Sequence, residues 1–342
     1  MKMKKILSID GGGIRGIIPG QILVALEAKL QEKTGNPDAR IAEYFDFFAG
    51  TSTGGILTCI LLCPSADDPK KARFSAKEAV DLYVKNGDKI FNSTIWHKLR
   101  SIGGVVEEKY AAAGIESCLQ EYFGDIKLSQ LLKPCIITSY DIQNRETKFF
   151  AQHDQKLKGD VADFYVRQVA RSTSAAPTYF ETELITSISG QSYACVDGGV
   201  FANNPSLCAY SEVRNSVGSP TAKDMYVVSI GTGSQDAPYS YEKAKGWGEI
   251  GWVKPVIDIM MSGAAEVTNY HMIKMFSAQN HQANYVRIQP SSLGTANPQM
   301  DDASDQNIQA LLQVGTDTAQ NCAEMDDIIT VLLQGEDPVV FE

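Results

Sequence analysis

Residues suited to holding a metal ion are few in this chain. It has four histidines, His97, His153, His271 and His281, scattered over 342 residues, and it lacks both Cys-x-x-Cys and His-Glu-x-x-His. No metal site and no cofactor are expected from such a set. Basic residues are also short, 31 Lys and Arg against 41 Asp and Glu, for a formal net charge of −10. That balance argues against a nucleic-acid polymer as a partner and against strong electrostatic capture by anionic membranes. Contact with a membrane through an apolar patch stays open. No run approaches the roughly 20 apolar residues that span a bilayer. Met1-Lys2-Met3-Lys4-Lys5 resembles the charged start of a signal peptide, but the apolar stretch breaks at Asp10-Gly11-Gly12-Gly13. No signal peptide is therefore expected. The seven cysteines are odd in number and irregular in spacing. Cys59, Cys63, Cys135 and Cys208 read as small core residues in a reducing, cytoplasmic setting.

Internal repeats, low-complexity tracts and a Pro/Gly/Ser-rich linker are lacking too. The chain reads as one domain over residues 1–342. Its motif-bearing core covers about 4–280, and a C-terminal strand and helices follow over about 281–342. Strand and helix signals alternate along it. Strands are expected at Ile6–Ile9, Tyr44–Ala49, Pro134–Tyr140, Ser192–Val196 and Met225–Ile230, with Thr147–Phe150 pairing beside Pro134–Tyr140. Helices are expected at Pro19–Lys33, Gly55–Leu62, Lys77–Lys89, Gly114–Phe123, Val161–Ser174, Pro205–Val213 and Trp252–Phe276. This alternation predicts a three-layer α/β/α fold with a mostly parallel central sheet, whose chemistry gathers at the carboxyl ends of the strands. The apolar Trp252–Phe276 segment reads as a core helix, with a subunit interface in a homo-oligomer as the rival reading.

Three motifs stand at those strand ends. Gly50-Thr51-Ser52-Thr53-Gly54 lies between a strand and a helix, the setting of a nucleophile elbow; a chance turn is the plain alternative. Asp10-Gly11-Gly12-Gly13-Ile14-Arg15-Gly16 closes the first strand. Its glycines bare successive backbone N–H groups, an anion cradle for a phosphate or an oxyanion. Arg15 adds positive charge there or pairs with Asp10. Gly11, Gly13 and Gly16 also match the dinucleotide fingerprint, which keeps an oxidoreductase as the rival function. That fingerprint expects a carboxylate about 20 residues on at the end of a second strand, and none stands there. Asp197-Gly198-Gly199 follows a short strand and reads either as a common chance turn or as a carboxylate placed to act as the base for Ser52. Asn203, Asn204 and Pro205 read as a helix N-cap with proline at the first helical position. No histidine is near these motifs, so a Ser–His–Asp triad is not evident, although one closed by a remote histidine is left open. An aspartate is a weak base near 3.9 unless burial raises it.

The three motifs, in this order, resemble those of the patatin-like phospholipases, as do Ala175-Ala176-Pro177-Thr178-Tyr179-Phe180 and Asn203-Asn204-Pro205. The likeness extends from residue 4 to about residue 280. It implies that Ser52 is the nucleophile and Asp197 its general base in a dyad without histidine. It implies an oxyanion hole built from Gly11, Gly12 and Gly13 and the following Ile14, Arg15 and Gly16, with Gly50, Gly54, Gly198 and Gly199 in support. The implied reaction is hydrolysis of an acyl ester in a phospholipid through an acyl-serine, at the inner membrane surface. The likeness is nearest to bacterial members, some of which are antiphage effectors switched on by a cyclic dinucleotide. The segment from Ile95 to Gly104, with Trp96 and Leu99, reads either as a lid or membrane-touching loop or as a plain surface loop with Trp96 tucked into the core.

Overall fold

Three strands carry almost no polar alternation: β1 (Lys4–Ile9), β2 (Phe47–Thr51) and β7 (Met225–Ile230) are buried on both faces along nearly their whole length. Such strands belong in the middle of a parallel sheet covered by helices on each side. The computed structural model describes residues 3–90, 112–234, 238–335 and 338–342. In it eight strands form one sheet, with β3 (Cys135–Asp141), β4 (Glu146–Ala151), β5 (Glu183–Thr186), β6 (Ser192–Asp197) and β8 (Tyr285–Ile288) completing the set. The order is β5-β6-β3-β2-β1-β7-β8, and β4 pairs with β3. The run β3-β2-β1-β7-β8 is parallel throughout, while β4, β5 and β6 pair antiparallel at one side. The expected three-layer fold with a mostly parallel sheet is the fold observed.

Two apolar cores lie on the two faces. The larger packs α1 (Ile17–Thr34), α2 (Thr53–Leu61), α3 (Ala76–Ile90), α4 (Ala112–Phe123) and α5 (Val166–Thr173) through Leu26, Leu57, Tyr83, Leu119 and Val169. The smaller packs α6 (Ser206–Arg214) and α7 (Glu249–Ala278) through Val213, Met272 and Phe276. In the C-terminal part β8 extends the sheet, while α8 (Asp305–Gln320) and α9 (Met325–Leu332) pack on α1. Among the described residues no helix is long and apolar enough to cross a membrane.

Three expectations need correction. The second strand starts at Phe47 rather than Tyr44, because Ile41–Glu43 turn as a 3-10 helix first. The helix expected over Val161–Ser174 begins only at Val166. The Asp163 carboxylate accepts bonds from Ser129 N–H, Ser129 O–H and Phe164 N–H, and this local competition holds the backbone extended there. The long helix is not a core helix. Trp252, Val253, Val256, Ile259, Met260, Val267, Tyr270 and Ile273 are all more than two-fifths exposed. At 100° per residue these positions share one broad arc, opposite the arc that buries Met261, Met272 and Phe276. The segment proposed as a lid, with Trp96 and Leu99, lies outside the described residues.

Candidate active site

Ser52 sits between the last residue of β2 and the first of α2, at φ 54° and ψ −124°. A non-glycine residue in that conformation is strained and persists only where its surroundings over-determine it. Here the surroundings are threonines. Ser52 N–H donates to Thr173 Oγ1 at 2.8 Å, and the Thr173 hydroxyl donates to the Thr138 carbonyl at 2.6 Å. Thr51 shares a hydroxyl bond with Thr138 at 2.7 Å and donates to the Ala202 carbonyl at 2.6 Å. Glycine is required at two neighbours for closeness of approach. A side chain at Gly54 would meet the Ile9 and Asp10 carbonyls, and one at Gly50 would meet the Gly54 backbone. Sequence reasoning missed Thr173 and Thr138. The only signal was a threonine at the end of the helix leading into Ala175-Ala176-Pro177.

The end of β6 delivers Asp197 to this serine. Ser52 Oγ donates to Asp197 Oδ2 at 2.5 Å, and Gly199 N–H donates to Oδ1 at 2.7 Å. Asp197 N–H is itself fixed on the Ala175 carbonyl at 3.0 Å. The carboxyl is 2% exposed. Burial pushes its pKa from 3.8 up to about 7, against the opposing pull of the Ser52 and Gly199 hydrogen bonds. A carboxylate with a pKa near neutrality is a far better proton acceptor than an exposed one. No described histidine joins the pair. His153 is bonded to Glu212 at 2.9 Å and stacked on Phe341, with ring centroids 3.6 Å apart.

The glycine loop lies beside this pair, with Gly11 packed against Ser52, but not all of its amides are available. Gly11 N–H donates to the Asn203 carbonyl, Ile14 N–H to the Met300 carbonyl and Arg15 N–H back to the Gly12 carbonyl. Gly12 and Gly13 N–H have no acceptor among the described residues. Of the amides from Gly11 to Arg15 in the expected oxyanion hole, those of Gly12 and Gly13 are the ones left open. Gly13 takes φ 60°, which a residue with a side chain would adopt only under strain. The Thr232 hydroxyl, two residues beyond the end of β7, donates to the Gly11 carbonyl at 2.8 Å and pins the loop. Asp10 does not pair with Arg15. Its carboxylate is held in bidentate fashion by Arg287 of β8, at 2.9 and 2.5 Å. Arg15 reaches the Gly12 and Gly233 carbonyls, each at 3.4 Å. The position about 20 residues beyond the loop falls inside α1, not at the end of β2, which removes the ribose contact a dinucleotide fingerprint needs. Asn203 and Asn204 also differ from expectation. Pro205, not an asparagine, is the N-cap of α6; Asn204 Oδ1 accepts from Ser206 N–H at 3.0 Å, and Asn203 serves the glycine loop.

Beside Ser52 and Asp197 opens an apolar slot lined by Ile56, Tyr83, Ile90, Ile115, Phe180 and Met261. Such a slot suits a hydrocarbon chain leading to a reacting carbonyl at Ser52.

Comparison with known proteins places these features in context. The family model of patatin-like phospholipases matches residues 7–209. "Patatin-like protein 2" of rice (Oryza sativa subsp. indica) is 36% identical over 342 residues, covering 92% of this chain and 83% of the rice protein. "Patatin group D-2" of potato (Solanum tuberosum) is 35% identical over 343 residues, covering 95% of this chain and 86% of the potato protein.

Proposed function

The chain belongs to the patatin-like phospholipases, carboxylic ester hydrolases of lipid acyl groups, and on that premise we propose that it cleaves phospholipids through Ser52 and Asp197 alone. The observation that carries this reading is the 2.5 Å bond from Ser52 Oγ to a buried Asp197 carboxylate. Ser52 Oγ attacks the ester carbonyl while Asp197 Oδ2 takes its proton. The carbonyl oxygen becomes an oxyanion and is met by the free N–H groups of Gly12 and Gly13. The tetrahedral intermediate collapses, the C–O bond to the alcohol breaks, and the departing lysophospholipid takes the proton from Asp197. Water then attacks the acyl-Ser52 ester, giving its proton to Asp197. The fatty acid leaves as Ser52 recovers its proton.

The site for this reaction is a lipid surface. The exposed apolar arc of α7 supports that, because the same helix lends Ile257 and Met261 to the slot beside Ser52. An apolar face of this kind suits the boundary between headgroups and acyl chains, which a chain of net charge −10 would not reach by charge attraction to anionic lipid. The buried thiols of Cys59, Cys63 and Cys135 suit a reducing compartment and so the inner face of the cell membrane. Two measurements test the reading. Phospholipid vesicles are incubated with the protein, with and without a panel of cyclic dinucleotides, and the products are identified by mass spectrometry. Release of fatty acid and lysophospholipid is expected; intact lipid in every arm would overturn the function. A Trp252→Ser/Val256→Ser/Ile259→Ser variant should lose vesicle sedimentation while staying the size of the parent by light scattering. A parent dimer that the variant splits would instead make the arc a subunit interface.

A further inference from the structure

A second cavity lies next to the Ser52 slot and is polar where the slot is apolar. Met261 and Met300 line both. The space is ≈ 270 Å³, far beyond the roughly 10–15 Å³ that one water needs. One wall comes from the sheet side and carries Arg15 and Arg287; the other comes from α7 and carries Asp258, Ser262, Glu266 and Asn269. Those four α7 positions fall on one face at helical spacing.

The charges in this cavity are separated in a particular way. Arg287 is committed to Asp10 by two bonds, so that pair is close to neutral. Arg15 is 8% exposed; its hydrogen bonds are two long carbonyl contacts and its charge faces Asp258 across the cavity, which leaves a buried cation with donor capacity on the sheet side opposite a carboxylate. Asp258 and Glu266 put two carboxylates on the helix side, and Asp258 accepts from Tyr239 O–H at 2.9 Å. Asn203 also lines the cavity; it is 9% exposed, and its side-chain oxygen has no hydrogen-bond partner among the described residues. A buried acceptor without a donor is costly, and a ligand N–H or O–H would satisfy it.

A phospholipid has the same layout. It is apolar on one side of its scissile ester and polar on the other. With the acyl chain in the slot and the ester carbonyl at Ser52, the remaining part of the molecule leads past Met261 and Met300 into the polar cavity. We propose that this cavity is the headgroup subsite and that it selects zwitterionic headgroups, the phosphate facing Arg15 and the ammonium facing Asp258 and Glu266. An anionic headgroup without an ammonium would leave Asp258 and Glu266 without a counter-charge while adding net negative charge to the cavity, which is unfavourable. The inference rests on the phospholipase reading above and adds the class of lipid to it.

The test uses lipids diluted in neutral detergent micelles, so that surface charge does not differ between substrates. kcat/KM is measured for phosphatidylethanolamine, phosphatidylcholine and phosphatidylglycerol with identical acyl chains. The parent is expected to favour the two zwitterionic lipids by about tenfold or more. Asp258→Asn/Glu266→Gln is expected to bring the three substrates within about threefold of one another. Glu266→Gln alone, at an exposed position, should move the ratio in the same direction if the double variant folds poorly. A parent that cleaves all three equally, or variants that keep the parent's ratio, would overturn the subsite and leave the phospholipase reading standing. A parent that cleaves none of them would overturn both.

Discussion

Replacing Asp197 by Asn should make the folded protein more stable at alkaline pH while removing its activity. Burial holds the Asp197 carboxyl at about 7 in the folded chain, against 3.8 for an ordinary aspartate. Ionising it in the folded state therefore costs on the order of 4 kcal/mol relative to the unfolded state. The sign follows from proton binding. Between 3.8 and about 7 the folded chain keeps a proton that the unfolded chain has released. Stability thus falls as pH rises through that window and is lowest above it. Asparagine is neutral at every pH and avoids the penalty. Its amide can still accept from Gly199 N–H and donate to Ser52 Oγ, although these bonds are weaker than those to a carboxylate. Allowing about half of the gain for that loss leaves roughly 2 kcal/mol at pH 8.5. For a chain of this length, about 1.4 °C of thermal midpoint corresponds to 1 kcal/mol, so a rise of about 3–6 °C brackets the half and full gain. At pH 5 only about a third of the penalty has developed, and the rise should shrink in proportion. Thermal denaturation followed by circular dichroism at both pH values decides the matter. An equal shift at pH 5 and pH 8.5, or a lower midpoint for the variant at pH 8.5, would refute the buried-base argument.

The same carboxyl sets the pH dependence of the reaction. The base must be unprotonated, so kcat/KM measured on a soluble ester should fall tenfold per pH unit below about 7 and be flat above it. Thr173→Val leaves the Ser52 N–H without its acceptor at the strained elbow. At about 1–3 kcal/mol for a buried unpaired donor, kcat should drop about fivefold to 150-fold with little change in KM, as steady-state kinetics would show. Arg287→Met strands the Asp10 carboxylate, which is 3% exposed. Breaking one side of a buried pair costs about 3–5 kcal/mol. The thermal midpoint should fall by about 4–7 °C. Arg287→Met/Asp10→Asn should recover much of that loss.

What could be read from the sequence follows from where the physical signal is local. Met225–Ile230 was legible to the residue because a strand buried on both faces is a short, continuous apolar run. Gly50–Gly54, Asp10–Gly16 and Asp197–Gly199 were legible because strand ends, tight turns and close approach demand particular residues within a few positions. The pieces that could not be read join distant parts of the chain. Asp10 finds Arg287 rather than its near neighbour Arg15, because β8 lies next to β7 and β7 next to β1. Gly11 and Ile14 lose their amides to the carbonyls of Asn203 and Met300, which no local pattern announces. Thr173 and Thr138 look like any other threonines until the fold sets them under Ser52. The long helix is apolar over so much of its circumference that composition alone could not say which arc faces the core. Only the packed sheet decides that Met272 and Phe276 go in while Val256 and Ile259 stay out.

The central claim is that one serine and one buried aspartate carry out the hydrolysis. The most direct measurement is fatty-acid release from phospholipid by purified Ser52→Ala protein whose circular dichroism and thermal midpoint match a folded chain. No turnover above the uncatalysed background is expected. Substantial turnover by that folded variant would contradict the account.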